Sequence, residues 1–324
     1  MLSREAIFDL PPEMSGGLTF HLPMELVALE SAGATSTIIE ERGRARLVEA
    51  YATGLVDPPL YRWAVRRYAS TAAGLISPDA AVRADAFADV LPLGEGLAGA
   101  AFHGLIRLGY AAWKVDEAEI ARGLAYLRTR RQVLATDLAI GRRADLAIDL
   151  PSPAEREGAT VFDLLNIAAG TGEPARLASE HGHRTLRSGL LEGVRLVSRN
   201  PSSFVAVHAL TGFHALCEVH LLVCGSPPND ASLFDAVTAP WWRSFVVASR
   251  ACSLLVESGP PEALAAYDGN VGTVDELVEA AVESDDTHDV KLAVALRRLV
   301  EFDLLDEADA VTVGLHRLAA AQLA

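Results

Sequence analysis

The sequence has few cysteines. Cys217, Cys224 and Cys252 are the only three, an odd number that implies no disulfide framework in a chain of 324 residues. Cys217 and Cys224 share one predicted helix with His220, at spacings that could place three zinc ligands on one face. The surrounding segment is almost wholly apolar and offers no evident fourth ligand, so the pattern favours core packing.

Basic residues are also scarce. Lys and Arg number 28 against 43 Asp and Glu, which gives a formal net charge of -15 and a pI of about 5.0. Nucleic-acid binding requires clustered positive charge. The nearest approach to a cluster is the short group Arg128, Arg130 and Arg131, so we expect no nucleic-acid partner.

The chain lacks an apolar N-terminal stretch of signal-peptide length, and it lacks a long apolar run free of ionisable residues. The two most apolar segments, 91–113 and 203–224, both contain glutamate and histidine. Such side chains are costly at bilayer depth. We therefore expect two buried core helices, no membrane partner and a cytoplasmic protein.

Strand-like alternation of apolar and polar residues is nearly absent, whereas Ala, Leu, Arg and Glu are abundant. Half of the residues are hydrophobic, enough for a sizeable core. We predict one large all-α domain of many helices over residues 1–324, with 142–158 as the best linker candidate and the functional site between buried helices. The predicted helices lie near 36–54, 78–90, 97–114, 116–137, 160–169, 175–198, 202–224, 230–257, 273–283, 287–303 and 307–322.

One helix start is well marked. Asp286 is a natural N-cap, and Asp289 three residues later resembles the second member of a capping box. His288 and Lys291 follow in the first turns, and their spacing of three residues places them on one helix face. Taken without other information, Lys291 is expected to pair with one of the neighbouring aspartates.

Residues 94–99 read Gly-Glu-Gly-Leu-Ala-Gly and fit the dinucleotide-binding pattern GxGxxG. That pattern needs a preceding strand and a βαβ unit, but Pro92 interrupts the would-be strand. We interpret the segment as a glycine-rich loop before a helix.

Several histidines lie in apolar segments. His103 and His208 are predicted inside apolar helices, His21 opens an apolar run, and His288 begins a helix. One buried histidine is usually a hydrogen-bonded core residue, but several would each need a partner. A shared metal ion supplies that partner, and imidazole suits Fe, Zn, Cu and Ni. His181, His183 and His316 lie in segments typical of solvated or interface positions and are set aside.

These histidines lie in motifs that resemble those of the questin oxidase-like family. Residues 103–111, His-Gly-Leu-Ile-Arg-Leu-Gly-Tyr-Ala, resemble its H-x-x-I-x-L-G-Y motif. Residues 207–212, Val-His-Ala-Leu-Thr-Gly, resemble V-H-x-x-T-G, and residues 286–292, Asp-Thr-His-Asp-Val-Lys-Leu, resemble D-x-H-x-x-K-L. The segment from His21 to Gly33 is similar to the opening of the family, and all four matches occur in the family's order.

The resemblance implies an oxygenase that opens a ring of an aromatic polyketide, especially an anthraquinone, with O2 as co-substrate. In the iron-dependent members the metal is held by four histidines and a carboxylated lysine. Transferred motif by motif, the Fe(II) ligands are His21, His103, His208, His288 and Lys291. A buried lysine beside a cation is partly neutral, and a neutral amine can add carbon dioxide to become an anionic oxygen ligand.

We also expect His208, His214 and Tyr110 to act at the substrate, and Asp285 or Asp286 to orient a ligand. The expected apolar substrate pocket is lined by Phe102, Tyr110, Trp113 and Phe213. The chain departs from the family by its shorter length and by Phe20, where a polar residue is expected. His214 and His220 are therefore kept as substitute ligands for His21.

Two alternatives remain open. An NADPH-dependent Baeyer–Villiger-type oxygenase would use the histidines as acid–base groups, although no convincing nucleotide motif supports it. A non-catalytic carrier would bind a hydrophobic polyketide, with structural histidines. The sequence does not indicate the oligomeric state.

Overall fold

The computed structural model describes residues 3–132, 186–233, 236–257 and 269–322, together with positions 165 and 267. It is mostly helical, which confirms the all-α prediction. The helices are α1 (Arg4–Phe8), α2 (Leu22–Ser31), α3 (Ser36–Thr53), α4 (Tyr61–Leu75), α5 (Ala80–Ala88), α6 (His103–Lys114), α7 (Glu117–Thr129), α8 (Leu186–Arg199), α9 (Phe204–Cys224), α10 (Ala239–Glu257), α11 (Val274–Val282), α12 (Thr287–Glu301) and α13 (Glu307–Gln322).

A small sheet accompanies the helices. Its strands β1 (Glu13–Met14), β2 (Leu18–Thr19) and β3 (Leu55–Val56) are antiparallel in the order β2-β1-β3. The sheet was not predicted, because a strand of two residues is too short to show an alternation of apolar and polar residues. Strands β1 and β2 directly precede α2, which puts the sheet beside the candidate site.

The centre of the packing is α9, which contacts α5, α6, α8, α10 and α12. Among the described residues it is the one helix long and apolar enough to cross a membrane, yet 83% of its most apolar window is buried inside the protein. Apolar residues lie on all faces of this helix, as expected of a helix surrounded by other helices. This agrees with the prediction of a core helix.

The close packing of α6 against α9 depends on Gly109. A Cβ atom added there would lie 2.4 Å from both Cα and Cβ of Ala215. Only glycine therefore allows the two helix backbones to approach this closely. The same two helices carry His103 and His208.

Three predicted helices have different limits. The helix predicted at 116–137 is α7, which already ends at Thr129. The helix predicted at 97–114 begins only at His103, because Ala100, Ala101 and Phe102 have φ angles of 49°, 50° and 65°. A left-handed backbone cannot belong to a right-handed α-helix. The helix predicted at 230–257 divides into a short 3-10 turn at Asp230–Leu233 and α10.

The glycine-rich segment 94–99 lies in a 3-10 turn at Leu91–Gly96 and in the turn residues that lead to the left-handed stretch at Ala100, Ala101 and Phe102. A Cβ at Gly94 would lie 2.4 Å from Cδ1 of Trp241, and one at Gly99 would lie 1.8 Å from the carbonyl oxygen of Arg130. These glycines therefore make room for protein side chains and backbone. The element directly before them is the helix α5, which ends at Ala88, whereas a nucleotide-binding turn would require a strand there.

Helices α1, α2 and α4 were not predicted. The start signals of α2 and α4 are unusual: α4 begins after Leu60, whose backbone is left-handed, and the residue before α2 is His21, which forms no side-chain cap. Helix α1 has an ordinary cap at Ser3 but is only five residues long. Several predictions fall outside the described residues: the linker at 142–158, the helix at 160–169 apart from the helical position 165, the start of the helix at 175–198, His181 and His183.

Candidate metal centre

Four histidines, each from the start or the interior of a different helix, meet at one point. His21 precedes α2, His103 is the first residue of α6, His208 lies in the second turn of α9, and His288 lies in the first turn of α12. One ring nitrogen of each lies within 4.8 Å of the corresponding nitrogen of every other. Nε2 of His103 lies 2.6 Å from Nε2 of His21 and 3.0 Å from Nε2 of His208.

The predicted position of His103 inside a helix was wrong. It is the first helical residue, and the left-handed turn before it brings the carbonyl of Ala100 back onto its ring. Nδ1 of His103 donates to that carbonyl. Residues in sparsely populated backbone regions cluster at functional sites, where the surrounding packing holds them in place.

Three of the four rings are oriented by an acceptor at Nδ1. The acceptor is the carbonyl of Ala100 for His103. For His208 it is the carbonyl of Phe204 at 2.7 Å, and for His288 it is Oδ1 of Asp286 at 2.8 Å. Such a bond keeps the proton on Nδ1 and leaves Nε2 as a lone pair, which is the usual arrangement of a metal-binding histidine.

The electrostatics of the cluster keep all four imidazoles neutral. Burial, followed by the positive charge of Lys291, lowers the pKa of His21 and His103 well below 6.5. Burial and neighbouring rings do the same for the pKa of His208, and burial lowers the pKa of His288 to about 4. Neutral imidazole is the form that binds metal.

The donor set therefore fits a cation. The rings are neutral with the proton on Nδ1, so their Nε2 lone pairs point at one another inside the protein. Nε2 of His288 is buried without a hydrogen bond. Buried polar atoms without partners are costly. A metal ion at the meeting point would satisfy the four Nε2 atoms together.

Lys291 lies beside this cluster, since its charge lowers the pKa of each of the four histidines. Its side chain is 2% exposed. Within the described ranges its ammonium group forms no ion pair or hydrogen bond, so the expected salt bridge to an aspartate is wrong. Burial lowers the pKa of Lys291 to about 8, which leaves a neutral fraction at pH 7.

The carboxylates of Asp286 and Asp289 pair with groups other than Lys291. Asp286 caps α12, orients His288 and pairs with Arg317. Arg317 also donates to Oδ1 of Asp289 over 2.7 Å. Asp289 accepts from the hydroxyl of Ser284 over 2.5 Å and does not accept from the backbone N–H of Asp286. The N-cap was therefore predicted correctly, but the capping box was not.

One side of the cluster is covered by Phe204, which the sequence did not single out. Its ring centroid lies 3.9 Å from that of His208, 5.9 Å from His103 and 5.8 Å from His288. Phe204 is 38% exposed. It therefore separates three of the imidazoles from solvent at this side.

At His21 the cluster borders a cavity of about 210 Å³. Its floor and walls come from the small sheet, the start of α2, α3 and the start of α12. The lining residues are Met14, Thr19, Phe20, His21, Leu22, Arg46, Glu49, Asp285, Asp286 and Thr287. The cavity gives a small molecule access to the cluster.

The predicted substrate pocket is not at this opening. Phe102, Tyr110, Trp113 and Phe213 are absent from the cavity lining. Tyr110 is 1% exposed and its hydroxyl donates to the backbone carbonyl of Lys291 over 3.2 Å. Tyr110 was predicted to line the pocket, but the helix turns this ring into the core.

His214 and His220 lie away from the cluster. His214 is fully buried and Nε2 lies 3.2 Å from Oε1 of Glu218, with its ring edge against Tyr110 and Trp113. Nδ1 of His220 lies 2.7 Å from the hydroxyl of Thr238. Neither belongs to the metal-binding group, so the structure brings His21 to the cluster and not its proposed substitutes.

The chain was compared with models of known protein families, with curated proteins and with solved structures, and none of the three comparisons found a match. The likeness to the questin oxidase-like family thus stays a prediction from the motifs. The buried group of four histidines, which could hold a metal ion, stands on the geometry alone.

Proposed function

We propose that this chain is a non-heme Fe(II)-dependent oxygenase that cleaves a ring of an aromatic polyketide with dioxygen. The observation that carries the proposal is the convergence of four neutral imidazoles whose Nε2 atoms have no other common partner. The ring-cleavage chemistry and the anthraquinone-like substrate class rest on the motif resemblance. The cytoplasmic location also remains part of the proposal.

When bound, Fe(II) would supply the redox chemistry that dioxygen needs to react with a closed-shell aromatic compound. His21, His103, His208 and His288 would hold the ion. Lys291, buried and partly neutral, is placed to add carbon dioxide and contribute an anionic oxygen. Its carboxylation balances the charge that four neutral rings leave uncompensated around a divalent cation.

The remaining side chains would exclude water and orient the substrate. Phe204 shields three rings, and the cavity at His21 would admit the ligand. That cavity is about 210 Å³, below the roughly 300–1,000 Å³ of sites that enclose drug-sized ligands. A polycyclic quinone would therefore enter by one edge, which suits cleavage of a terminal or central ring presented at His21.

Metal content tests the proposal. Protein is purified without oxygen, reconstituted with Fe(II) and analysed by elemental mass spectrometry as wild type, His208→Ala and His220→Ala. His220 is a matched control because it is a buried histidine on the same helix but outside the cluster. We expect near one iron per chain in wild type and His220→Ala, and loss of iron in His208→Ala.

Oxygen uptake with anthraquinones, with and without NADPH, then tests the reaction. Uptake that needs iron but no NADPH supports the proposal. Absence of bound iron in the wild type would overturn it, and uptake that depends on NADPH alone would favour the Baeyer–Villiger-type alternative. Quinone binding without any oxygen uptake would favour the carrier.

A further inference from the structure

Glu25 is a fully buried carboxylate that lies one helical turn after His21. Its backbone N–H donates to the carbonyl of His21 over 3.0 Å, so the two residues share one turn at the start of α2. Glu25 is 0% exposed. Burying a carboxylate is costly unless it is paired, so its partners are informative.

The partners of Glu25 are two arginines on α3, one turn apart. Nε of Arg46 donates to Oε2 of Glu25 over 3.0 Å, and Nη1 of Arg42 lies 3.5 Å from Oε1. Apolar side chains would have packed α2 on α3 without any burial of charge. The pairing therefore needs an explanation beyond adhesion of the two helices.

The same arginines bind the loop that leads into α12. Nη2 of Arg46 donates to the carbonyl of Asp285 over 2.7 Å. Nη2 of Arg42 donates to the carbonyls of Val282, over 3.3 Å, and Ser284. Asp286 follows directly and orients His288.

We propose that Glu25 is a positioning residue for the metal centre, which through Arg42 and Arg46 sets the separation between His21 and His288. The inference rests on the proposed metal-binding function. His21 and His288 are 267 residues apart in sequence, and their ring centroids are 4.9 Å apart at an interplanar angle of 81°. One carboxylate and two guanidinium groups join the backbone beside one ligand to the backbone beside the other.

The arrangement has a clear physical advantage for His21. This ring is partly exposed and, unlike the other three, has no hydrogen-bond acceptor at Nδ1 within the described part of the chain. Its orientation therefore depends on the placement of α2 itself. Glu25, fixed at the first turn of that helix, controls this placement.

Co(II) binding tests the inference, because Co(II) absorption reports ligand geometry without any catalytic turnover. Affinity is measured by competition with a chromogenic chelator for wild type, Glu25→Gln, Arg46→Gln and Glu218→Gln. Glu218 is a matched control: it is 1% exposed and paired with Arg298 over 2.8 Å, but it lies away from the cluster. Thermal unfolding of the metal-free proteins measures the purely structural cost.

We expect Glu25→Gln and Arg46→Gln to weaken Co(II) binding by about 10–100-fold, the usual effect of losing a group that orients a ligand. Their absorption spectra should also change. Glu218→Gln should lose thermal stability to a similar degree while its affinity and spectrum stay as in wild type. If Glu25→Gln does not fold, Arg46→Gln decides the question, since it leaves Glu25 paired with Arg42.

Wild-type affinity and spectrum in Arg46→Gln or in folded Glu25→Gln would overturn the positioning role and leave the metal site intact. Equal losses of affinity in Glu218→Gln would also overturn it, because any buried ion pair would then have the same effect. A wild-type protein that binds no Co(II) would instead remove the proposed metal function itself.

Discussion

Oδ1 of Asp286 accepts two hydrogen bonds from His288, one from the backbone N–H and one from Nδ1 of the ring, both over 2.8 Å. A single oxygen therefore starts α12 and orients a candidate metal ligand. The other oxygen of the carboxylate pairs with Arg317. The helix cap and the metal centre share this residue, which allows the two roles to be separated by substitution.

Asp286→Asn should weaken metal binding by about 10–100-fold, because the neutral amide is a poorer acceptor for Nδ1 and no longer pairs with Arg317. Asparagine caps helices as well as aspartate does, so α12 should remain folded. Chelator competition measures the affinity, and circular dichroism measures the helix content.

The control is Asp79→Asn, because Asp79 caps α5 in the same way, accepting the N–H of Ala81 over 2.8 Å. This variant should bind metal as wild type does. Equal affinities for Asp286→Asn and wild type would show that the carboxylate does not act on the metal site.

Lys291 should make the stability of the metal-free protein depend on alkaline pH. Burial lowers its pKa from 10.5 to about 8. Between these values the unfolded chain holds a proton that the folded chain has released, so the free energy of unfolding should rise as pH increases from 8 to 10.5. Lys291→Met should abolish this rise and stabilise the protein at pH 7 by roughly 2–3 kcal/mol.

Denaturant unfolding across this pH range, in buffer freed of carbon dioxide, measures the effect. The chain has a second lysine, the exposed Lys114, and Lys114→Met should change stability by less than about 0.5 kcal/mol. A Lys291→Met protein with the wild-type pH dependence would contradict the prediction.

Gly109→Ala should separate α6 from α9, because the added methyl group would lie 2.4 Å from Cα and Cβ of Ala215. We expect a loss of roughly 1–3 kcal/mol in the free energy of unfolding. Metal affinity should fall with it, since the two helices carry His103 and His208. Unfolding and chelator competition on the same preparation check both effects.

Gly189→Ala serves as the control, since Gly189 is also helical and has nothing within 4 Å of the added Cβ. It should be neutral or stabilising by up to about 1 kcal/mol, the difference in helix propensity. If both variants behave alike, close packing at Gly109 is not what limits the approach of the helices.

Phe204→Ala should speed the release of bound metal several-fold, because its ring lies over three of the imidazoles. Stability should change little, as the side chain is 38% exposed. Stopped-flow transfer of metal to excess chelator measures the release rate. Leu191→Ala is the control, an apolar side chain of 39% exposure on α8, and an equal acceleration there would assign the effect to loss of surface packing in general.

Local chemistry explains what could be predicted. Helix content follows from composition and breaker positions, and the N-cap at Asp286 follows from its side chain and the residues after it. The four histidines could be named because an apolar segment that keeps an imidazole needs a reason for it. The position of Lys291 one turn after His288 placed the two on one helix face, but only the motif resemblance predicted Lys291 as a ligand.

Other features depend on backbone conformations that residue type does not reveal. The left-handed turn at Ala100, Ala101 and Phe102 places His103 at a helix start, and nothing in these residue types favours that conformation. The same holds for Leu60 before α4. Only packing from the rest of the chain holds non-glycine residues there.

By itself, the sequence determined an acidic, helical chain with imidazoles set in its apolar segments, because composition and periodicity act over a few residues. Only the tertiary structure decided which histidines meet. It brought together His21 and His103, 82 positions apart, left His214 with Glu218, and placed the cavity at His21 instead of beside Tyr110. Such long-range distances are set by how whole helices pack, and a pattern of neighbouring residues does not contain them.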